Sequence, residues 1–258
     1  MKINSNLEIY NEDCLVILEQ LISKNIKVDL VLTDPPYGAT AEQWDNIINF
    51  DLLWNKLNKI VKSNGVIAIF GIEPFSTKLK SSNLKNFKYD WIWIKNQATN
   101  FLHAKNQPLR KTENIHIFYK GKGTYNPQKS EGHAPTNSSK GSTNGSLYYG
   151  DKKRDYVGGS TSRYPTNILF YNVVNNYKKL HPTQKPIDLL EYLINTYSNQ
   201  NEIVLDFTSG SFSTAIAAIK TGRKFIGMEK DIDYFNIGSS RINHFLKYWS
   251  DDFKIIKE

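Results

Sequence analysis

The sequence TDPPYG, Thr33–Gly38, follows an apolar run, Val28–Thr33, that has the composition of a short buried strand. Two consecutive prolines can neither extend that strand nor begin a helix, so they fix an extended turn. Such a turn holds the Asp34 carboxylate, the Pro35 carbonyl and the Tyr37 ring near one another. This arrangement suits a planar ring with an amino group, since both oxygens accept N–H groups while the tyrosine stacks on the ring. The alternative is a proline-rich turn that Asp34 caps.

A second string, LDFTSGSFST at Leu205–Thr214, has the pattern of a strand, a tight turn and a helix start. Small residues in the turn let the backbone approach a ligand, and the N–H groups of a helix N-terminus favour an anion. The next predicted strand ends in Glu229, a suitable acceptor for a ribose diol. The G-x-G-x-x-G and G-x-x-x-x-G-K-[ST] motifs are missing, which disfavours nicotinamide and nucleoside-triphosphate enzymes. A tight turn that binds nothing is the alternative.

Composition restricts the class of protein. The chain has 258 residues, 40% of them apolar and 22% charged, which is enough to bury a substantial core. Cys14 is the only cysteine, and the five histidines lack ligand spacing, so we expect neither a disulfide nor a metal site. No apolar run approaches the roughly 18 residues of a membrane span, and no signal peptide is evident. We therefore expect a cytoplasmic protein without a membrane partner.

Strand-like and helix-like runs alternate along most of the chain. Strands are predicted at Leu7–Tyr10, Val28–Thr33, Val66–Phe70, Tyr89–Ile94, Ile115–Tyr119, Ile203–Asp206 and Phe225–Glu229. Helices are predicted at Leu15–Ile22 (with Asp13 as its N-cap), Leu52–Val61, Ile187–Tyr197, Ser213–Lys220 and Asp233–Lys247. This alternation is typical of a mostly parallel α/β sheet, which binds ligands beyond the carboxyl ends of its strands.

The middle of the chain has a different composition. Between Lys95 and Arg154 there are eleven lysines and arginines against three acids, a difference equal to the whole net charge of +8. The run Gly121–Gly159 is rich in glycine and polar residues, and tyrosines alternate with its basic residues. Flexible linkers rarely carry so many aromatic residues, so this pattern favours a surface that orders on a polyanionic partner. A solvated lysine-rich surface is the alternative.

Several blocks occur in a specific order: Asn11–Leu15, Thr33–Gly38, His181–Pro186, then Leu205–Thr214 and Gly222–Glu229. In this order they resemble the β-group of S-adenosylmethionine-dependent DNA amino-methyltransferases, whose catalytic half precedes the cofactor half. The resemblance covers nearly all of the chain outside about 130–175. It implies a permuted, Rossmann-like, mostly parallel α/β sheet. Residues 1–120 would form its catalytic half, 121–178 an inserted target-recognition segment and 179–258 its cofactor half.

The resemblance also implies roles for individual residues. Asp34 and the Pro35 carbonyl would accept the target amino group, Pro36 would hold the turn, and Tyr37 would stack on the extruded base. Asp13 and Cys14 would meet the cofactor's adenine, Glu229 its ribose, the 206–211 turn its methionine moiety, and Thr183 with Lys185 its carboxylate. The expected cofactor-binding residues are therefore Asp13, Cys14, Thr183, Lys185, Asp206, Phe207, Thr208, Ser209, Gly210, Ser211 and Glu229.

The implied reaction is methyl transfer from S-adenosylmethionine to adenine N6 in double-stranded DNA, by a monomer or a homodimer. Cytosine N4 is the alternative target, although Asp34 at the head of the turn favours adenine. The sequence departs from the family where Phe207 and Thr208 follow Asp206, and where Phe212 replaces an expected glycine. A ring at that position would crowd the cofactor or strain the backbone. This leaves open a DNA-binding relative that transfers no methyl group.

Overall fold

A computed structural model of the protein describes residues 2–38, 46–137, 139–142, 153–156, 158–175, 177 and 179–255. Within the predicted recognition segment, residues 138, 143–152, 157, 176 and 178, which include Tyr148 and Tyr149, lie outside the described residues. The chain divides into a larger unit, Met1–Asn126 with Asn167–Glu258, and a smaller unit, Pro127–Thr166. The smaller unit contains an antiparallel pair of strands, β7 (Ser139–Ser142) and β8 (Lys153–Tyr156).

The larger unit is an α/β sheet with helices on both faces. Its strands are β1 (Lys2–Asn4), β2 (Leu7–Asn11), β3 (Val28–Thr33), β4 (Val61–Gly71), β5 (Phe87–Thr99), β6 (Arg110–Phe118), β9 (Ile168–Phe170), β10 (Ile203–Asp206) and β11 (Lys224–Glu229). Its α-helices are α1 (Cys14–Ser23), α2 (Phe50–Ile60), α3 (Phe75–Ser82), α4 (Ile187–Tyr197), α5 (Ser213–Lys220) and α6 (Ile232–Ile255). Among the described residues, no helix combines the length and the apolar character that crossing a membrane requires.

The sheet has the strand order β1-β2-β11-β10-β3-β4-β6-β5-β9. Strands β1 and β6 run against the other seven, so the prediction of a mostly parallel sheet is confirmed. The last two strands of the chain, β10 and β11, lie between β2 and β3, which come from its first half. This order brings the carboxyl ends of four strands from both halves to one edge.

Apolar side chains from β3 enter two cores, one on each face of the sheet. Leu30 and Leu32 point into the core that α4, α5 and α6 cover, whereas Val31 points into the core that α1, α2 and α3 cover. All six residues of β3 are buried. Burial on both faces explains why Leu30, Val31 and Leu32 are consecutive apolar residues rather than part of an alternating pattern.

Phe212 immediately precedes α5 and has a left-handed backbone conformation, with φ +55° and ψ +37°. Its ring is fully buried in the core, 6.4 Å from the Phe225 ring and 6.0 Å from the Phe235 ring between centroids. A Cβ atom on Gly227 would lie 2.8 Å from this ring, and one on Gly238 would overlap it. The backbone therefore keeps a glycine-like conformation while two glycines elsewhere make room for the ring.

We expect Phe212→Gly to destabilise the protein. Removing the buried ring costs about 3–5 kcal/mol, and relief of the left-handed strain returns about 1 kcal/mol, so the net loss is about 2–4 kcal/mol. Urea unfolding followed by circular dichroism measures this loss. Phe170→Ala, which truncates an exposed phenylalanine of β9, should change the free energy of unfolding by no more than about 0.5 kcal/mol. A glycine variant as stable as the wild type would contradict the packing account.

Candidate active site

A cleft of about 860 Å³ opens at the sheet edge where β2, β3, β10 and β11 end. All fifteen residues predicted for catalysis or cofactor binding line it, together with residues from the amino end of β6 and the carboxyl end of β5. Strand β6 contributes here because it runs antiparallel, which places its first residues beside the last residues of its neighbours. Among the described residues, no cluster of three or more His, Cys, Asp or Glu is placed to hold a metal ion.

Asp34 belongs to a buried group of charged and polar side chains, the Asp34 network, formed by Asp34, Tyr37, Lys95, Glu113 and Lys185. The Lys185 ammonium contacts Oδ2 of Asp34 and lies 3.0 Å from Oε1 of Glu113. Lys95 binds the other oxygen of Glu113 at 2.5 Å. The Tyr37 hydroxyl donates to Oδ1 of Asp34 and lies 3.2 Å from Oε1 of Glu113. Two carboxylates thus face two ammonium groups, and the formal charges balance.

The pKa values of the network follow from burial and from these contacts. Burial by itself would raise the pKa of Glu113, but Lys185 and Lys95 outweigh it and lower the pKa to about 2. Burial opposes the charge of Lys185, yet Asp34 and Glu113 raise its pKa above the ordinary value. For Asp34, burial prevails over the attraction of Lys185 and raises the pKa. Asp34 is therefore the member of the network that takes up a proton most readily.

Lys185 lies in a different environment from the one that the sequence predicts. The resemblance directs it towards a cofactor carboxylate, whereas the structure shows its ammonium on Asp34 and Glu113 and 5.0 Å from the centre of the Phe70 ring. Glu113 and Lys95 were missed as site residues. Glu113 is the only acid between Lys95 and Lys129, and it pairs across β5 and β6 with Trp93, two residues from Lys95. The sequence did contain a signal for these two residues. Lys95 and Glu113 are charged, and each lies in or beside an apolar strand that was predicted.

The turn after β10 is linked to its neighbours by polar contacts. Oδ1 of Asp206 accepts from the Thr33 hydroxyl at 2.8 Å and from the Thr208 N–H at 3.2 Å. The Gly210 N–H donates to Oε2 of Glu229 at 2.7 Å. Burial raises the pKa of Asp206 to about 6 and also raises that of Glu229. The turn is thus held against β3 on one side and β11 on the other before any ligand binds.

Two residues outside the predicted set shape the same turn. Arg241 of α6 donates to the Ser211 carbonyl at 3.0 Å and to the Ser213 hydroxyl at 2.9 Å. His181 packs edge-on against Tyr234 and lies so close to Gly210 that a Cβ there would be 3.3 Å from the imidazole. Burial and the charge of Lys185 lower the pKa of His181 to about 4, so the ring is neutral at pH 7. Gly210, with φ +51°, is therefore needed both for its conformation and for space.

Asp13 and Cys14 also line the cleft, where β2 gives way to α1. Oδ1 of Asp13 accepts from the Leu15 N–H at 2.9 Å, which is the predicted N-cap, and Oδ2 lies 3.2 Å from Lys230. The Cys14 thiol is buried, which raises its pKa to about 12. The thiol is therefore unreactive at neutral pH.

Comparison with known proteins gives a consistent result. The model of a family described as "DNA methylase" matches residues 28–240. The Type II methyltransferase M1.MboII of Moraxella bovis is 29% identical over 92% of this chain and 96% of its own length. The DNA adenine methyltransferase YhdJ of Escherichia coli K12 is 27% identical over 99% of this chain and 89% of its own. The crystal structure of the M1.HpyAVI–SAM complex superposes with a TM-score of 0.65 and 26% identity, covering 92% of this chain and 99% of that one.

The buried charge balance around Lys185 gives a first prediction. Lys185→Ala leaves two buried carboxylates facing one ammonium, so we expect a loss of about 3–5 kcal/mol in the free energy of unfolding. Lys179→Ala, which truncates a partly buried cleft lysine outside the network, is the control and should cost less than about 1 kcal/mol. Equal losses in the two variants, measured by urea unfolding, would show that the network does not depend on Lys185.

The raised pKa of Asp206 gives a second prediction. Its pKa rises from 3.8 to about 6 on folding, so between these values the folded state binds a proton that the unfolded state does not. As the pH falls from 7 to 4, the wild type should therefore gain about 2–3 kcal/mol of stability relative to Asp206→Asn. Unfolding of both proteins across this range tests the sign. A wild type that loses stability relative to the variant would refute the assignment.

Proposed function

The chain belongs to the DNA methylase family, and on that premise we propose that it transfers a methyl group from S-adenosylmethionine to N6 of adenine in double-stranded DNA. One observation carries this proposal. The sequence Asp34-Pro35-Pro36-Tyr37, directly after β3, lines the same cleft as the 206–211 turn and Glu229. The adenine specificity named for the Escherichia coli relative and the solved complex with S-adenosylmethionine support the target and the methyl donor.

The first task of the site is to make an aromatic amine nucleophilic. The lone pair of an exocyclic nitrogen is delocalised into the ring, and acceptors that draw its hydrogens out of the ring plane localise that pair on nitrogen. Asp34 and the Pro35 carbonyl would provide two such acceptors. Oδ1 of Asp34 already accepts from Tyr37, but a carboxylate oxygen has a second lone pair for an incoming amine. The ring of Tyr37 would then stack on the extruded base, since a paired base cannot reach the cleft.

The second task is to hold Asp34 in place and to remove a proton. Lys185 fixes Oδ2 of Asp34, and Glu113 with Lys95 fixes Lys185, so the acceptor is oriented before the base arrives. An amine that gains a methyl group must lose one proton. Asp34 is the carboxylate that would contact this nitrogen, and burial raises its pKa, which favours proton uptake. Lys185 would in this account be a positioning residue rather than a cofactor ligand.

The remaining part of the cleft would hold the cofactor. S-adenosylmethionine, when bound, supplies the electrophilic methyl group. Glu229 would accept from its ribose hydroxyls, the backbone of Asp13 and Cys14 would meet its adenine, and the 206–211 turn would hold its methionine moiety. The absence of a side chain at Gly210 leaves a gap in front of His181 that a ligand can approach. Thr183 also lines this part of the cleft and remains a candidate contact for the methionine carboxylate.

The basic middle segment is proposed to bind the DNA around the target base. Its lysines and arginines would neutralise phosphates, which makes binding depend strongly on salt concentration. Side chains of the 121–178 segment would read base edges in a groove.

Incubation with methyl-labelled S-adenosylmethionine and unmethylated genomic DNA, followed by nucleoside analysis, tests the proposal. We expect label in N6-methyladenine. Asp34→Ala should lower the rate by at least about a hundredfold, because it removes an acceptor that acts on the reacting nitrogen. Asp51→Ala, which truncates an exposed carboxylate in the first turn of α2, should match the wild type. Label in N4-methylcytosine would show that the target is cytosine rather than adenine. DNA binding without any label would show that the protein binds DNA but does not methylate it.

A further inference from the structure

The loop between β5 and β6 exposes two adjacent large apolar side chains. Phe101 and Leu102 are 75% and 80% exposed, and they lie in a short 3₁₀ turn, Phe101–His103. Single exposed apolar residues are ordinary on a protein surface, but two neighbours of this size and exposure at one loop tip are not required by the core. They are available to a partner.

This tip is ordered by its own backbone. The His103 N–H donates to the Asn100 carbonyl at 3.1 Å, the Ala104 N–H to the Phe101 carbonyl at 3.1 Å, and the Asn106 N–H to the His103 carbonyl at 2.8 Å. Asn100 has φ +74°, which turns the chain sharply out of β5. The two side chains are therefore held on a preformed turn, so that a partner would not have to order the loop.

The loop belongs to the rim of the cleft. It leaves the cleft at Thr99 and Asn100 and returns at Arg110, and all three residues line the cleft together with Asp34. Thr99 and Arg110 pair across the two strands, which fixes the base of the loop. Phe101 and Leu102 thus follow directly on a residue of the cleft that contains Asp34.

The charge around the tip indicates the chemistry of the partner. Residues 100–111 include Lys105, Arg110 and Lys111 and contain no acid. This combination suits a nucleic acid, because apolar side chains can contact its stacked bases while cationic side chains neutralise its phosphates. Proteins that distort a duplex commonly insert apolar side chains between base steps.

We propose that Phe101 and Leu102 form a wedge that enters the base stack of the bound duplex and fills the space that the extruded target base leaves. This inference rests on the proposed function, because it takes DNA as the substrate and base extrusion as a step. The wedge would offset the lost stacking, while Lys105, Arg110 and Lys111 neutralise the phosphates beside the gap.

Binding to a gapped duplex tests the wedge without relying on methyl transfer. The probes are two fluorescent 30-base-pair duplexes of one sequence, fully paired or with one central abasic site. The wild type should bind the abasic duplex about tenfold more tightly, since the gap is already open, and Phe101→Ala/Leu102→Ala should lose this preference. Leu84→Ala, which truncates a 68% exposed leucine between α3 and β5, is the matched control and should keep it. A preference of equal size in the double variant and the wild type, or none in the wild type, would overturn the proposal.

Methyl transfer separates the wedge from the proposed function. On a duplex containing a sequence that the wild type methylates, the double variant should lose at least about tenfold in kcat/KM, and less than about threefold when the target base is mispaired and already unstacked. Equal losses on both duplexes would overturn the wedge but not the proposed methyl transfer.

The opposite result is also distinguishable. A wild type that transfers no methyl group, with the abasic preference lost only in the double variant, would support the wedge and refute the proposed function. Self-association of the wild type that the double variant abolishes, with unchanged DNA binding, would instead identify a second copy of this chain as the partner.

Discussion

The arrangement of the site depends on one interaction, the contact of the buried Lys185 ammonium with two carboxylates. Lys185 cannot be removed from water without compensation, and Asp34 and Glu113 provide it from two different strands. Asp34 follows β3, Glu113 comes from β6, and Lys185 comes from the segment before α4. Three distant parts of the chain must therefore meet before the charges balance. The antiparallel direction of β6 is essential to this meeting, because a parallel β6 would place Glu113 towards the opposite edge of the sheet.

A second set of contacts joins the two halves of the chain through neutral and charged hydrogen bonds. Thr33, at the end of β3, donates to Asp206 at the end of β10, and Glu229 of β11 holds the Gly210 amide. The residue before Asp34 is thus hydrogen-bonded to Asp206, which precedes the turn after β10. The proposed acceptor of the amine and the proposed methionine site share one rigid strand pair, which limits relative motion of the two reactants.

Elements that are buried on both faces could be predicted well from sequence. The bounds of β3, β10 and α5 agree with their predicted ranges because each has a mostly apolar or alanine-rich centre between clear breaks. Helix α3 was not predicted, since it is short and only Phe75, Ser76 and Leu79 are buried.

The site itself was predicted in part. All residues carried over from motifs do line the cleft, because motifs lie at strand ends and parallel strand ends converge. The environment of Lys185 and the presence of Glu113 and Lys95 depend on strand pairing across about twenty residues of loop and strand, which motif order does not contain. Arg241 was missed because its contact with Ser211 depends on how α6 packs beside the turn after β10, which motif order does not contain either.

The packing around Phe212 has a consequence for how this sequence can change. The ring occupies space that Gly227 and Gly238 leave open, so the three positions form one steric unit although they lie on a turn, a strand and a helix. Glycine at position 212 would leave a cavity that a larger residue at 238 could fill. A larger residue at 238 alone would collide with the Phe212 ring. The effects of substitutions at 212 and 238 are therefore expected to be non-additive. A larger residue at 238 therefore has to be introduced together with a smaller one at 212, whereas Gly227 is also required by the Phe225 ring, 2.4 Å from a Cβ placed there.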